Sequence, residues 1–294
     1  MENKIAVSVV MGVHNPEQEA FLAAVISICR QTFRDWEMLL CDDGSSERYG
    51  ALFRQAAALD PRILVLHERA HCGLAHALNH GIFRSRGRYI ARMDADDIAE
   101  PQRLARQVRF LETHPAFSWV GSSAFLFDSN GAWGLQTVPQ KPHARDFLPH
   151  SPYIHPSVVF RRSVLLQNDG YNTARQFLQC EDYELFMRLH SLGYRGYNLS
   201  TPLLWYREDR DAYRRRTYAR RVREMQLRRS GFRKLDLSSA VALPYIYKPL
   251  LVGLVPGSVQ HWIRRKLNRQ THKEPIWKTD TRDAPEKPNL TRPR

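Results

Sequence analysis

Cysteine is scarce in this chain, and long hydrophobic runs are absent. Cys29, Cys41, Cys72 and Cys180 stand far apart, with no CxxC pair. That is poor material for a zinc site or a disulfide framework and suits a reducing compartment. No stretch reaches the ~18 uninterrupted apolar residues of a membrane span. The nearest, 240–255, is broken by Pro244, Lys248 and Pro249. The opening MENKIAVSVVMGVHNP has too short an apolar run for a signal peptide and no small-residue cleavage site, so it reads as a buried strand. There is no internal repeat. Nor does a Gly-rich, Lys- or Arg-bearing phosphate loop follow that strand; GVHNPEQEA stands there instead, which argues against a nucleotidyltransferase.

What is present is a globular composition. The 294 residues are 43% hydrophobic and 11% aromatic, enough for a substantial core and incompatible with a wholly disordered chain. The length fits one large domain, or one domain with an appendage. Lys and Arg number 44 against 30 Asp and Glu, a net charge of +14 that is unevenly placed. Residues 207–234 hold 12 basic and 4 acidic side chains, residues 264–294 hold 10 and 4, and the remainder is neutral. A neutral body argues against nucleic acid as the partner. Between the basic blocks, LPYIYKPLLVGLVPGSVQHWIRRKL sets Tyr245, Tyr247, Leu250, Leu251 and Trp262 beside Arg264, Arg265 and Lys266. That composition suits an anchor on an anionic membrane surface. Its alternative is an apolar segment packed on the body. From Thr271 the Pro-containing tail has the composition of a disordered segment.

Hydrophobic periodicity predicts strands at 5–11, 36–41, 63–66 and 88–93. They alternate with helices at 17–30, 49–59 and 74–83, and with a fourth at 102–113 in which Pro101 takes the first helical position. Four strand–helix alternations are the pattern of a parallel α/β sheet. Beyond residue 115 the pattern becomes mixed, with strands at 118–127, 133–138 and 157–161, a helix at 181–192 closed by Gly193, and a strand pair at 194–199 and 203–206. A basic helix follows at 209–230.

In such sheets, ligands bind beyond the carboxyl ends of the strands. Here those ends carry His14-Asn15, Asp42-Asp43, and Asp94, Asp96 and Asp97 of the DADD run. Five carboxylates on one edge repel one another, and a hard divalent cation relieves that repulsion. Mg²⁺ and Mn²⁺ both suit oxygen ligands. Either acidic motif alone is also an ordinary turn or helix cap; together, at two strand ends, they point to chemistry.

The ordered blocks VSVVMGVHN, SICRQTF, WEMLLCDDGSS, CGLAHALNHGI, GRYIARMDADD, HPSVVFRRSVL and CEDYELFMRL, spanning about residues 5–206, resemble the family 2 glycosyltransferases. The resemblance implies a GT-A fold: a Rossmann-like nucleotide-binding sheet with a mixed acceptor-side half, here followed by a basic C-terminal helical appendage. It divides the chain into a transferase domain at 1–206, a helical region at 207–270 and a tail at 271–294. It also implies inverting hexosyl transfer from a nucleotide-sugar, UDP-linked by expectation, with Mn²⁺ or Mg²⁺, to a hydroxyl of a lipid-linked or growing surface glycan. Val13, His14 and Asn15 would line the nucleotide pocket, with Asp42 or Asp43 on the base. Asp94 would face the ribose or the sugar, and Asp96 would hold the metal. Asp182, beside Glu181, would be the general base, and His155 would lie on the acceptor side. His71 stands where the family often has Asn, and His14 where an aromatic residue is common. Arg161-Arg162 could meet the diphosphate or merely flank a strand end. With the basic, aromatic C-terminus, the expected place is the cytoplasm, peripheral on the inner membrane face.

Overall fold

The computed structural model describes residues 5–209 and 217–268. The front half is built as its periodicity predicts: β1 (Val7–Val13), α1 (Gln18–Cys29), β2 (Trp36–Asp42), α2 (Gly50–Ala57), β3 (Ile63–His67), α3 (Leu74–Arg84) and β4 (Tyr89–Arg92). The short β5 (Ile98–Ala99) and α4 (Arg103–Thr113) follow. Then come β6 (Trp119–Asp128), β7 (Gly131–Gln136), β8 (Val159–Arg161), α5 (Arg162–Gln167), α6 (Glu181–Ser191) and β9 (Gly196–Arg207). Three helices close the described chain: α7 (Tyr218–Lys234), α8 (Ser239–Gly253) and α9 (Gly257–Asn268).

All nine strands form one sheet in the order β3-β2-β1-β4-β8-β6-β9-β5, with β7 paired to β6. β1, β2, β3 and β4 are parallel; β8 then runs antiparallel to both β4 and β6. Period-2 alternation sends side chains to two cores. Val7, Val9, Met11, Trp36, Met38 and Leu40 meet α1, α2 and α4 on one face. Val10, Leu39, Cys41 and Ile90 meet α3, α5 and α6 on the other. Strands buried on both faces read as continuous apolar runs, which is why their positions were legible. The chain leaves β1 towards β2 and β3, then returns to place β4 on the other side of β1. The crevice beyond the carboxyl ends of β1 and β4 is therefore the switch point at which ligands bind.

Three expectations change. Pro101 does not open α4, because its carbonyl accepts Thr32 N at 2.8 Å and the helix begins two residues later. The predicted last strand pair is one strand, β9. Leu199 pairs with Ser122 and Leu204 with Ala124, so residues 200–203, including Pro202, bulge between two stretches of one ladder. The basic helix starts at Tyr218, where the Thr217 side chain accepts Arg220 N, and runs on to Lys234. Residues 210–216 of the predicted helix, like the tail from Thr271, lie outside the described residues. Within the expected helical region, α8 continues through Pro244 and Pro249. Pro249 cannot donate to the carbonyl of Tyr245, and the buried Arg228 guanidinium does so at 3.2 Å.

The apolar C-terminal segment is divided between two environments. Leu227 and Phe232 of α7 and Ala242 of α8 join the core that holds Phe160 and Phe186, with Tyr245 and Ile246 packed against it. Its other face is exposed: Leu251 is 65% accessible, Leu254 74%, Trp262 62% and Leu267 79%. No described helix is long and apolar enough to cross a membrane.

One cross-strand pair fixes the mixed half of the sheet. Trp119, wholly buried among Tyr153, Phe160, Phe186 and His190, lies opposite Gly196. A Cβ at 196 would stand 2.0 Å from the indole Nε1, so only glycine fits there.

Candidate functional site

Two clusters form on the strand-end edge. The first joins the ends of β1 and β2. Asp42 accepts from Ser45 N at 2.9 Å and faces His67 Nδ1 at 2.9 Å. Asp43, 2% exposed, accepts from Cys72 N and Gly73 N at 2.7 and 2.9 Å and pairs with His71 at 2.8 Å. It thereby ties the loop before α3 to the end of β2. Gly44, at φ +66, permits this approach, since a Cβ there would lie 2.4 Å from the Ala70 carbonyl carbon. His14 Nδ1 stands 2.9 Å from the Asp43 carbonyl, and its ring stacks on His71 with centroids 4.0 Å apart. Asn15, at φ 46, hydrogen-bonds Ser45 and Ser46. Val13 is buried beneath this group. His71 thus replaces an amide with a ring that can pair with Asp43.

The second cluster lines a cleft of about 680 Å³. Asp94, His155, Glu181 and Asp182 all face it, whereas Val13, His14, Asn15, Asp42 and Asp43 do not. Asp96 is not on its wall either; it lies two residues beyond Asp94, where Arg207 Nε donates to its carbonyl. Desolvation, then the neighbouring Asp94, pushes the Asp96 carboxyl up to about 6, while Arg207 and Arg92 act against the shift. The fully buried Asp97 is raised well above the carboxylate range by the same two causes; it accepts from Arg207 N at 2.8 Å.

Glu181 and Asp182 open α6, whose N-terminal dipole favours negative charge. Burial outweighs it. Glu181 is pushed up to about 7 by desolvation and by Asp182, and Asp182 is raised by desolvation, with Arg220 and Arg92 among the groups that oppose the rise. The helix is held from below as its spacing predicts: Arg188 pairs with Glu184 at 2.9 Å and donates to the carbonyls of Asn168 and Gly170. Asn79 of α3 clamps the backbone of Tyr171 through two 2.8 Å bonds, and the Tyr171 hydroxyl meets His155 Nε2 at 2.6 Å. Burial, then Arg92, holds His155 well below its usual range, which favours the neutral imidazole. Arg161 donates to the carbonyls of Phe117 and Leu111, and Arg162 to Ser85, so both flank strand ends. Cys41 and Cys180 are buried, as their apolar surroundings suggest.

Two cations at this cleft escaped the sequence reading. Arg92, 2% exposed, sets Nη1 2.5 Å from Asp94 Oδ1. Its sign was a charged residue inside the apolar strand two positions before DADD. Arg220 comes from α7 and lines the cleft beside Glu181 and Asp182. Nothing distinguishes it in the sequence from the other arginines of 207–234.

Among the described residues, no three His, Cys, Asp or Glu side chains converge as a self-sufficient metal site. A hard cation bound mainly by substrate phosphates and water needs only one or two carboxylates. Asp94, which faces the cleft, and Asp96, whose carboxyl is raised by burial and by Asp94, fit that requirement.

Residues 8–168 match Glycosyl transferase family 2. EpsE of Bacillus subtilis, named as a glycosyltransferase, is 34% identical over 261 residues, covering 88% of this chain and 93% of EpsE. The amylovoran biosynthesis glycosyltransferase AmsE of Erwinia amylovora is 32% identical over 213 residues, 71% of this chain and 79% of AmsE. Among solved structures, the mannosyltransferase PcManGT from Pyrobaculum calidifontis, in complex with GDP-Man and Mn²⁺, superposes with a TM-score of 0.58 at 19% identity. That match covers 89% of this chain and 79% of PcManGT. S. aureus TarS 1-349 in complex with UDP gives 0.60 at 16% identity, over 88% and 78%. The extent of the family match and the identity to EpsE establish that this chain belongs to glycosyl transferase family 2, and its sheet is that of the GT-A glycosyltransferases.

Proposed function

We propose that the chain transfers a hexosyl group, with inversion, from a nucleoside-diphosphate sugar to a hydroxyl of a lipid-linked or growing surface glycan in polysaccharide biosynthesis. One observation carries this reading: the switch-point edge separates a group of His14, Asn15, Asp42 and Asp43 from a cleft that holds Asp94, Glu181 and Asp182. The first group would bind the nucleotide, with Asp42 or Asp43 on the base. Asp94 would face the ribose or sugar. The names of AmsE and of the structures with GDP-Man, UDP and UDP-GlcNAc support the substrate class. A UDP-linked donor remains our first choice.

In the proposed step, Asp182 takes the proton of the acceptor hydroxyl as its oxygen bonds to the anomeric carbon. The bond from that carbon to the diphosphate oxygen breaks, and the nucleoside diphosphate leaves with the electron pair. Glu181 shares the local negative charge, Arg220 favours the carboxylate form of Asp182, and neutral His155 can hydrogen-bond the acceptor. Asp96, next to Asp94, would hold Mn²⁺ or Mg²⁺, which supplies charge neutralisation at the leaving diphosphate. Residues 1–206 would carry the transfer chemistry, and the basic, partly apolar helices of 207–268 would be the appendage that meets the membrane surface.

The test is a thermal-shift panel of UDP-, GDP- and dTDP-sugars, each with Mn²⁺ and with EDTA. A ligand at 100 times its Kd stabilises by about 2.7 kcal/mol, a shift of a few degrees. A metal-dependent shift confined to one nucleotide is expected; no shift with any of them contradicts the proposal. The same reading places the exposed apolar face of α8 and α9, with Arg265 and Lys266, on the anionic inner face of the cell membrane. Replacing Leu251, Leu254 and Trp262 by Ser should then reduce flotation with anionic vesicles several-fold. Unchanged flotation removes these helices from membrane contact.

A further inference from the structure

Part of the cleft lining is supplied by the C-terminal helices, and it is amphiphilic. Its cations are Lys248 of α8 and Arg264 of α9, beside His150. Lys248 Nζ donates to the carbonyl of Pro149 at 3.2 Å, and no carboxylate among the described residues forms an ion pair with it. Arg264 is aimed by Glu208 at 3.1 Å and by Gln136 at 2.7 Å. Desolvation and the cations Lys248, Arg264 and Arg228 hold His150 below its usual value, while Glu208, on the same lining, pairs with Arg264 and leaves Lys248 as the cation without a carboxylate ion pair among the described residues. Val252, Val255, Ile263 and Leu267 line the same cleft. Ile263 and Leu267 are also open to the exterior, and they continue into the exposed face of Leu251, Leu254 and Trp262. A water-soluble glycan needs neither the cations nor the apolar lining; an anionic head joined to a hydrocarbon chain needs both.

We propose that this wall is the acceptor subsite for a lipid-linked phosphate or diphosphate. The phosphate lies on Lys248 and Arg264, the hydrocarbon runs along Val252, Val255, Ile263 and Leu267, and the sugar end reaches Asp182. This rests on the transferase reading and deepens it: of the two acceptor kinds, it selects the lipid-linked one. It also gives the basic C-terminal helices a part in the reaction.

The test titrates farnesyl diphosphate into the full chain with UDP and GDP in excess, so that the donor side is filled. Farnesol and inorganic diphosphate form separate arms. Farnesyl diphosphate should bind at least about tenfold more tightly than either part. Lys248→Met and Arg264→Met should each weaken it at least about fivefold, Lys248→Arg should restore most of the affinity, and Ile263→Ser should weaken it without altering diphosphate binding. Nucleotide affinity should stay within about twofold in every variant. Diphosphate binding as tightly as farnesyl diphosphate identifies a free-phosphate site and overturns the lipid track. Equal binding of farnesol overturns the role of the cations. Absent farnesyl diphosphate binding, or affinity unmoved in Lys248→Met, overturns the subsite. If wild-type chain still binds and hydrolyses a nucleotide-sugar in those cases, only this subsite fails. Failure of donor binding as well defeats the underlying transferase reading.

Discussion

Asp182→Asn should lower glycosyl transfer by about 10²–10⁴-fold, the usual worth of a positioned proton acceptor, while leaving donor affinity within about twofold. Asn keeps the shape of the side chain at the head of α6 but cannot take a proton. The carboxyl it replaces faces the cleft, raised by burial and steadied as a carboxylate by Arg220 and Arg92. The residues proposed to hold the donor sit on other strand ends: Asp43 is bound to Cys72 and Gly73, and His14 to the Asp43 carbonyl. None depends on Asp182. Nucleoside-diphosphate release in the presence of acceptor gives the rate, and calorimetry gives the donor Kd. Glu181→Gln is the control: Glu181 lines the same cleft, and a loss confined to this variant would move the base from Asp182 to Glu181. Transfer by Asp182→Asn at near the wild-type rate would remove Asp182 from the chemistry.

Asp96→Asn should abolish the metal dependence of donor binding. With Mn²⁺ present, the variant's donor Kd should rise at least about tenfold, to the value the wild type shows in EDTA. Burial and Asp94 push the Asp96 carboxyl up to about 6, so its charge is costly until a cation stands beside it. Asp94 is the wrong residue for this test. Its carboxylate is the 2.5 Å partner of the buried Arg92 guanidinium, and removing one half of a buried pair costs about 3–5 kcal/mol of stability. Asp96→Asn leaves that pair intact. A variant whose donor affinity still responds to Mn²⁺ and EDTA as the wild type does would take Asp96 out of the metal site.

The parallel half of the fold was legible because β1, β2 and β4 alternate between two cores, so each strand is a short apolar run between turn residues. The later half was harder to read for local reasons. Pro202 looks like the end of a strand, yet β9 bulges around it and resumes its ladder with β6. Pro244 and Pro249 look like helix breakers, yet α8 runs through both, with the long-range donor Arg228 meeting the carbonyl that Pro249 leaves free. The two residues of β5 and the six of α5 are too short for periodicity to reveal. At the site, the acidic groups could be found by following each strand to its carboxyl end. The cations of the cleft could not: Arg92 is made important by burial against Asp94, and Arg220, Lys248 and Arg264 by helices that fold back over the cleft.

The most direct test of the central claim is the anomeric configuration of the first product. The wild-type chain is incubated in D₂O with an α-linked nucleotide-sugar and Mn²⁺, and donor hydrolysis is followed by proton NMR before the released sugar equilibrates. With Asp182 as a base opposite the leaving diphosphate, the β anomer should appear first. The α anomer appearing first would mean retention, and would contradict a single displacement promoted by Asp182.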